Sequence, residues 1–410
     1  MPRFLVFCLI GLGLWYPAAA EAGLVSVWVQ YAAGGQVEVR AITDGTVCPQ
    51  AVVDGVARTM GERRAPDDRF PIRICQSILP AKAKSLIVEG QVLPVPVAEP
   101  RHLVVIGDTG CRLKGALVQA CDDPKAWPFQ RLADAAAAEH PDLVIHVGDY
   151  NYRETACPAD DPRCRGAAWG DSWAGWQADF FAPSSLLLKS AVWVVERGNH
   201  EECRRSGVGW TAFLSPDPLS SACSPHGRPY VIAPGNAWRL AVVDDSDADD
   251  KAADAKVAAR VKADLAQVLA AKPGWLLLHH PVRGIFKREK SGRLLGANAT
   301  LLDAFRDIDD SSLELLLSGH IHVFQAETFA GLHPPQLIAG GGGDLLDRET
   351  PPAFSGRVGR QTVRRGLSLV DYGYLVMDRQ ADGWRILLKG ADGRLLKTCR
   401  LRGRAISCAD

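Results

Sequence analysis

Residues 316–325 read LLSGHIHVFQ. An apolar run stops at Gly319, and two histidines, His320 and His322, follow with one isoleucine between them. A single histidine on an apolar segment is ordinarily a hydrogen-bonded core residue. Two at i and i+2 point to one face if the strand continues, so both imidazoles can reach adjacent points. The same arrangement, an apolar run that ends in metal-competent side chains, recurs along the chain. HLVVI leads into GDTG (107–110), DLVIHV into GDYNY (148–152), AVWVVE into RGNHEE (197–202) and WLLL into HHP (279–281).

Helical segments separate these runs: KAWPFQRLADAAAAEH (125–140), DADDKAADAKVAARVKADLAQVLAA (247–271) and ATLLDAFRDI (299–308). Strands alternating with helices imply an α/β core whose strands are largely buried. Open α/β sheets bind ligands outside the carboxyl ends of their strands. Asp108, Asp149, Asn199, His279, His320 and His322 all stand at such positions. Together with Tyr152 they supply three imidazoles, two carboxylates, an amide oxygen and a phenolate. Those N and O donors suit Zn2+, Mn2+ and iron. They are too many for one ion with an open position, so two metals sharing a carboxylate is the economical reading. AGGGGD (339–344) lacks the G-K-[ST] ending of a phosphate loop and reads as a tight backbone passage.

The flanks differ from this core. Residues 23–99 carry short alternating runs (LVSVWVQ, QVEVRAI, FPIRICQ, SLIVEG) split by Gly, Asp and Pro, which predicts a small all-β, sandwich-like N-terminal domain. Residues 100–410 form the α/β unit, closing in a β extension with hairpins around ADG. Residues 1–22 join an arginine, an apolar run and an A-x-A ending, the pattern of a secretory signal peptide. The expected location is periplasmic or secreted. Of eleven cysteines, ten lie beyond that leader, an even number that reads as disulfides in an exported chain. The sequence leaves connectivity open; the expected pairs are sequential: 48–75, 111–121, 157–164, 203–223 and 399–408. There is no C-x-x-C, which argues against a thiolate metal site. Lys+Arg and Asp+Glu are both 47, so no basic field points to nucleic acid or a membrane as partner.

Taken in order, D-x-G, G-D-x-x-Y, G-N-H-E, H-x-P and G-H-x-H over roughly residues 101–325 resemble the calcineurin-like metallophosphoesterases, and specifically the purple acid phosphatases. The resemblance implies a four-layer α/β/β/α sandwich with a dinuclear metal site at the strand ends. It implies Fe3+ on Asp108, Asp149, Tyr152 and His322, and Fe2+, Zn2+ or Mn2+ on Asp149, Asn199, His279 and His320. His200 matches the histidine that contacts phosphate and protonates the leaving group. Many relatives have D-x-H, whose histidine binds the first metal. Here Gly110 takes that place and Tyr152 is available instead, and a phenolate favours a trivalent ion. The implied activity is hydrolysis of small-molecule phosphate esters by hydroxide at the dinuclear centre. A divalent-metal phosphodiesterase or nucleotidase on the same fold is the alternative.

Overall fold

In a computed structural model of the chain, the described residues are 23–409 other than 236, 237, 249, 251, 359 and 360. The expected signal peptide, 1–22, lies outside them. Two large sheets pack face to face. The larger has eleven strands and the smaller eight.

At the centre of the larger sheet, His102–Ile106, Leu143–His146 and Val192–Val195 run parallel. In the smaller sheet Leu240–Val242, Trp275–Leu277, Leu315–Ser318 and Gln336–Ala339 are also parallel. Apolar runs such as HLVVI suit these positions because both faces are covered. Leu103 and Val105 point into the core between the sheets, together with Leu240, Trp275 and Leu315. Val104 and Ile106 point outward, beneath the helix Phe129–Ala137. On the other side, Leu276, Leu278 and Leu316 pack against the helices Ala255–Leu269 and Ala299–Ala304. The order of layers is therefore helix, sheet, sheet, helix.

The longest helix shows why its sequence folds this way. Asp254 caps it, accepting from the backbone N–H of Lys256 and Val257 at 2.8 and 3.1 Å. Ala258, Val261, Leu265 and Val268 form its buried stripe at helical spacing.

The N-terminal region is β-rich, as its alternation predicted, and its strands divide between two sheets. Leu24–Tyr31 pairs in parallel with Val192–Val195 and antiparallel with Val37–Thr43. Arg73–Ile78 and Gly61–Arg64 continue that edge of the large sheet. Gln50–Val53, Val56–Thr59, Leu86–Val88 and Gln91–Leu93 form a separate four-stranded sheet. The C-terminal strands, Gly373–Gln380 through Ala405–Cys408, extend the opposite edge as an antiparallel meander. All five sequential cysteine pairs are disulfides. Among the described residues no helix is long and apolar enough to cross a membrane.

Candidate metal centre

The carboxyl ends of the parallel strands converge. Asp108, Asp149 and Asn199 follow three strands of the large sheet, while His279 and His320 follow two of the small one. The backbone is strained to bring them together. Asp108, Asp149 and His320 have φ of 56°, 61° and 67°, a left-handed conformation that costs energy outside glycine and collects at functional sites.

Two groups of donor atoms result. In the first, Tyr152 Oη lies 2.7 Å from Asp149 Oδ2, 3.1 Å from Asp108 Oδ1 and 3.0 Å from His322 Nε2. In the second, Asn199 Oδ1 lies 3.1 Å from both His279 Nε2 and His320 Nδ1. His279 Nε2 is also 3.2 Å from Asp149 Oδ2, so one carboxylate oxygen borders both groups. The seven side chains named from sequence are thus side by side. One expectation changes: the strand does not continue through His320 and His322. Both lie in the turn between Leu315–Ser318 and Phe324–Phe329, and the left-handed turn at His320 sends the two rings to different groups.

Neighbouring groups fix each ligand-competent atom. His279 Nδ1 pairs with Val147 O and His322 Nδ1 with Leu345 O, both at 2.8 Å, which leaves each Nε2 facing inward. His320 is reversed: Nδ1 faces inward and Nε2 meets Asp250 Oδ2 at 2.6 Å. Asp245 accepts from the backbone N–H of His279 and His280 at 2.8 and 3.0 Å. Glu201, fully buried, accepts from the N–H groups of Asp149, Tyr150, Asn151 and Gly198 at 2.8–3.1 Å. Burial and the Asp149 charge push its carboxyl up to about 8, while the N–H donors favour the anion. Gly198 is needed for close approach, since a Cβ there would lie 2.0 Å from Asp149 Oδ1.

Tyr152 is held from three sides. Asp179 Oδ2 accepts from its backbone N–H at 2.8 Å, and Asp179 Oδ1 pairs with Arg153 Nε at 2.7 Å. The Arg112 guanidinium sits over its ring, 4.5 Å from the centroid, and ion-pairs with buried Asp344. His200 packs against the ring with centroids 3.8 Å apart. Its backbone N–H donates to Asp149 Oδ1 at 2.8 Å, and its Nδ1 is 2.8 Å from Glu154 Oε1. Burial pulls His200 down to about 4, against the opposing pull of Asp149 and Glu154. The glycines of AGGGGD run along the Asp108 loop, with Gly342 N–H on Gly107 O and Asp344 N–H on Asp108 O, each at 3.0 Å.

The donor set fits cations. Burial and the Asp108 and Asp149 charges hold the Tyr152 phenol well above its usual range, and a nearby cation reverses that balance. The Asn199 amide has Oδ1 inward, facing acceptors. Turned over, its NH2 would donate to His279, His320 and Asp149 at 3.1–3.3 Å. An inward oxygen is the arrangement a cation favours. Asp149, His279 and His320 form one group able to hold a metal ion, and Asp250, His280 and His320 form another.

Asp179, Asp245, Asp250 and Asp344 were not singled out from sequence. Asp245 carried a usable signal, because it too follows an apolar strand, RLAVVD. Asp179 lies among aromatics in WQADFF, where a lone carboxylate is costly unless paired. Asp250 and Asp344 look like ordinary loop residues.

A family model described as calcineurin-like phosphoesterase matches residues 101–324, more than half of the chain. Among solved structures, a purple acid phosphatase isolated from yellow lupin (Lupinus luteus) seeds is similar with a TM-score of 0.58 and 14% identity, covering 91% of this chain and 74% of that one. The structure of PhoD is similar with a TM-score of 0.51 and 11% identity, covering 94% of this chain and 92% of the other. At such identities the likeness is one of fold. No curated protein matches the chain in sequence. The motif order, the gathering of those motifs at the strand ends and the family match agree: this chain belongs to the calcineurin-like phosphoesterase family.

Proposed function

We propose that the protein is an exported acid phosphatase of the purple type, hydrolysing small-molecule phosphate esters with two metal ions. One observation carries this reading: Asp149 Oδ2 lies 2.7 Å from Tyr152 Oη and 3.2 Å from His279 Nε2, within reach of two donor groups at once. Asp108, Asp149, Tyr152 and His322 would hold Fe3+. Asp149, Asn199, His279 and His320 would hold Fe2+, Zn2+ or Mn2+. When bound, such a pair supplies Lewis acidity and a water acidified enough to attack phosphorus.

The chain's own residues do the rest. Tyr152 supplies a hard anionic donor suited to a trivalent ion. Glu201, Asp245 and Asp250 orient the ligands, a role to which metal affinity is sensitive. His200 would deliver a proton to the departing oxygen, and burial, which pulls it down to about 4, confines its protonated form to acidic pH. Glu154 Oε1 lies 2.8 Å from its Nδ1, which leaves Nε2 as the nitrogen that would reach the ester. The five disulfides support an oxidising compartment.

The test is hydrolysis of an aryl phosphate across acidic to neutral pH, with metal content measured on the same samples. Asp149→Ala should lose activity and metal together. An active, fully metallated Asp149→Ala protein would overturn the assignment.

A further inference from the structure

A groove of about 520 Å³ lies away from the metal centre, where the two sheets meet at one edge. The strands Leu395–Arg402 and Ala405–Cys408 of the large sheet form one wall, and Ala353–Val358 and Gln361–Leu369 of the small sheet form the other. Thr328 Oγ1 ties the seam, meeting both Ile406 N and Ile406 O at 3.2 Å. Phe354, Leu367 and Ile406 give the groove an apolar floor.

Its charge is one-sided. Arg288, Arg364, Arg365 and Lys397 line it, and among the described residues no carboxylate does. Arg288 donates to Ala353 O at 3.0 Å. Among the described residues none of the four has an ion-pair partner. The chain as a whole has zero formal charge, so four cations gathered in one concavity are a local feature, and like charges held together cost energy unless an anion joins them. One strand, Phe324–Phe329, joins the metal centre to the groove. Ala326, which lines it, follows His322 by four residues, a span of at most roughly 13 Å at about 3.3 Å per residue.

We infer that this groove binds an oligoanion carrying several phosphate groups, so that a multiply phosphorylated substrate is held there while one of its phosphates sits at the metal centre. The choice of phosphate rests on the proposed function; the anion site itself rests on the groove alone. Three guanidinium groups favour phosphate oxygens, which they can bind in pairs. The concave shape suits a chain or ring of anions, where a flat bilayer would touch only the rim.

The test uses the full, metallated protein and inorganic tripolyphosphate. Arginines are labelled with phenylglyoxal and lysines by acetylation, and the extent is read at each residue by mass spectrometry. Tripolyphosphate should protect Arg364, Arg365 and Lys397 at concentrations where orthophosphate does not. The variant Arg364→Gln/Arg365→Gln/Lys397→Gln should raise KM for tripolyphosphate about tenfold and leave kcat/KM for a small aryl phosphate within about twofold. No protection, or equal protection of the exposed Arg402 on the neighbouring hairpin, would overturn the site. Equal protection by dextran sulfate would overturn its assignment to phosphate. Protection in a protein that hydrolyses no phosphate ester would leave the anion site standing and remove the proposed function.

Discussion

The ring of Tyr152 occupies the space that a side chain at Gly110 would need. A Cβ at 110 would lie 2.8 Å from Tyr152 Cδ2 and 2.6 Å from Asp179 Oδ2. The absence of a side chain at 110 and the placement of the Tyr152 ring are therefore coupled, with Asp179 and the Tyr150 carbonyl, also 2.8 Å from such a Cβ, sharing the same space. Gly110→Ala should displace the Tyr152 ring and destabilise the protein by about 1–3 kcal/mol, as overpacking does. Denaturant titration measures the loss, and a shifted or weakened visible absorption band reports the ring. An unchanged band with full stability would refute the coupling.

Glu201 holds four backbone N–H groups of the two loops that carry Asp149 and Asn199. Glutamine in its place has one acceptor oxygen and an NH2 facing other donors. Glu201→Gln should therefore cost about 1–3 kcal/mol for each N–H left without a partner, and metal content should fall with stability. Retention of both metals at unchanged stability would show that these bonds are dispensable.

Asp250 accepts from His320 Nε2 while His320 Nδ1 faces the centre. Removing such a partner typically weakens metal binding about 10- to 100-fold. Asp250→Ala should show that loss in competition with a chelator. The effect should fall on one of the two ions, because His322 and Tyr152 belong to the other group. Equal loss of both metals would argue against two distinct sites.

Leu24–Tyr31 is hydrogen-bonded to Val192–Val195 and places Trp28 in the core beneath the outer helices. A chain beginning at residue 100 would expose that strand edge and part of two cores. Its expected behaviour is insolubility or rapid proteolysis. A soluble, metallated fragment with cooperative unfolding would establish residues 23–99 as a separable domain.

Much of the candidate centre was legible in sequence because six of its seven side chains obey a local rule: each comes just after an apolar strand, and the strand ends converge, while Tyr152 lies further along the loop from Asp149. The helices were legible for a similar reason, from the 3.6-residue stripe and from caps such as Asp254. Pairing between distant strands has no local signature. LVSVWVQY alternates like a half-exposed strand, yet Trp28, Val29 and Gln30 are fully buried, because the strand lies within the large sheet instead of at a free edge. The supporting carboxylates were hidden for another reason. Asp250 and Asp344 act through tertiary contacts to His320 and Arg112, and a loop aspartate without those contacts reads the same.

The most direct test of the central claim is elemental analysis together with a visible spectrum of the purified protein and its Tyr152→Phe variant. The account predicts two metal ions per chain, at least one of them iron, and a tyrosinate charge-transfer band that disappears in the variant. An iron-loaded protein without colour, or a band unchanged by Tyr152→Phe, would contradict it.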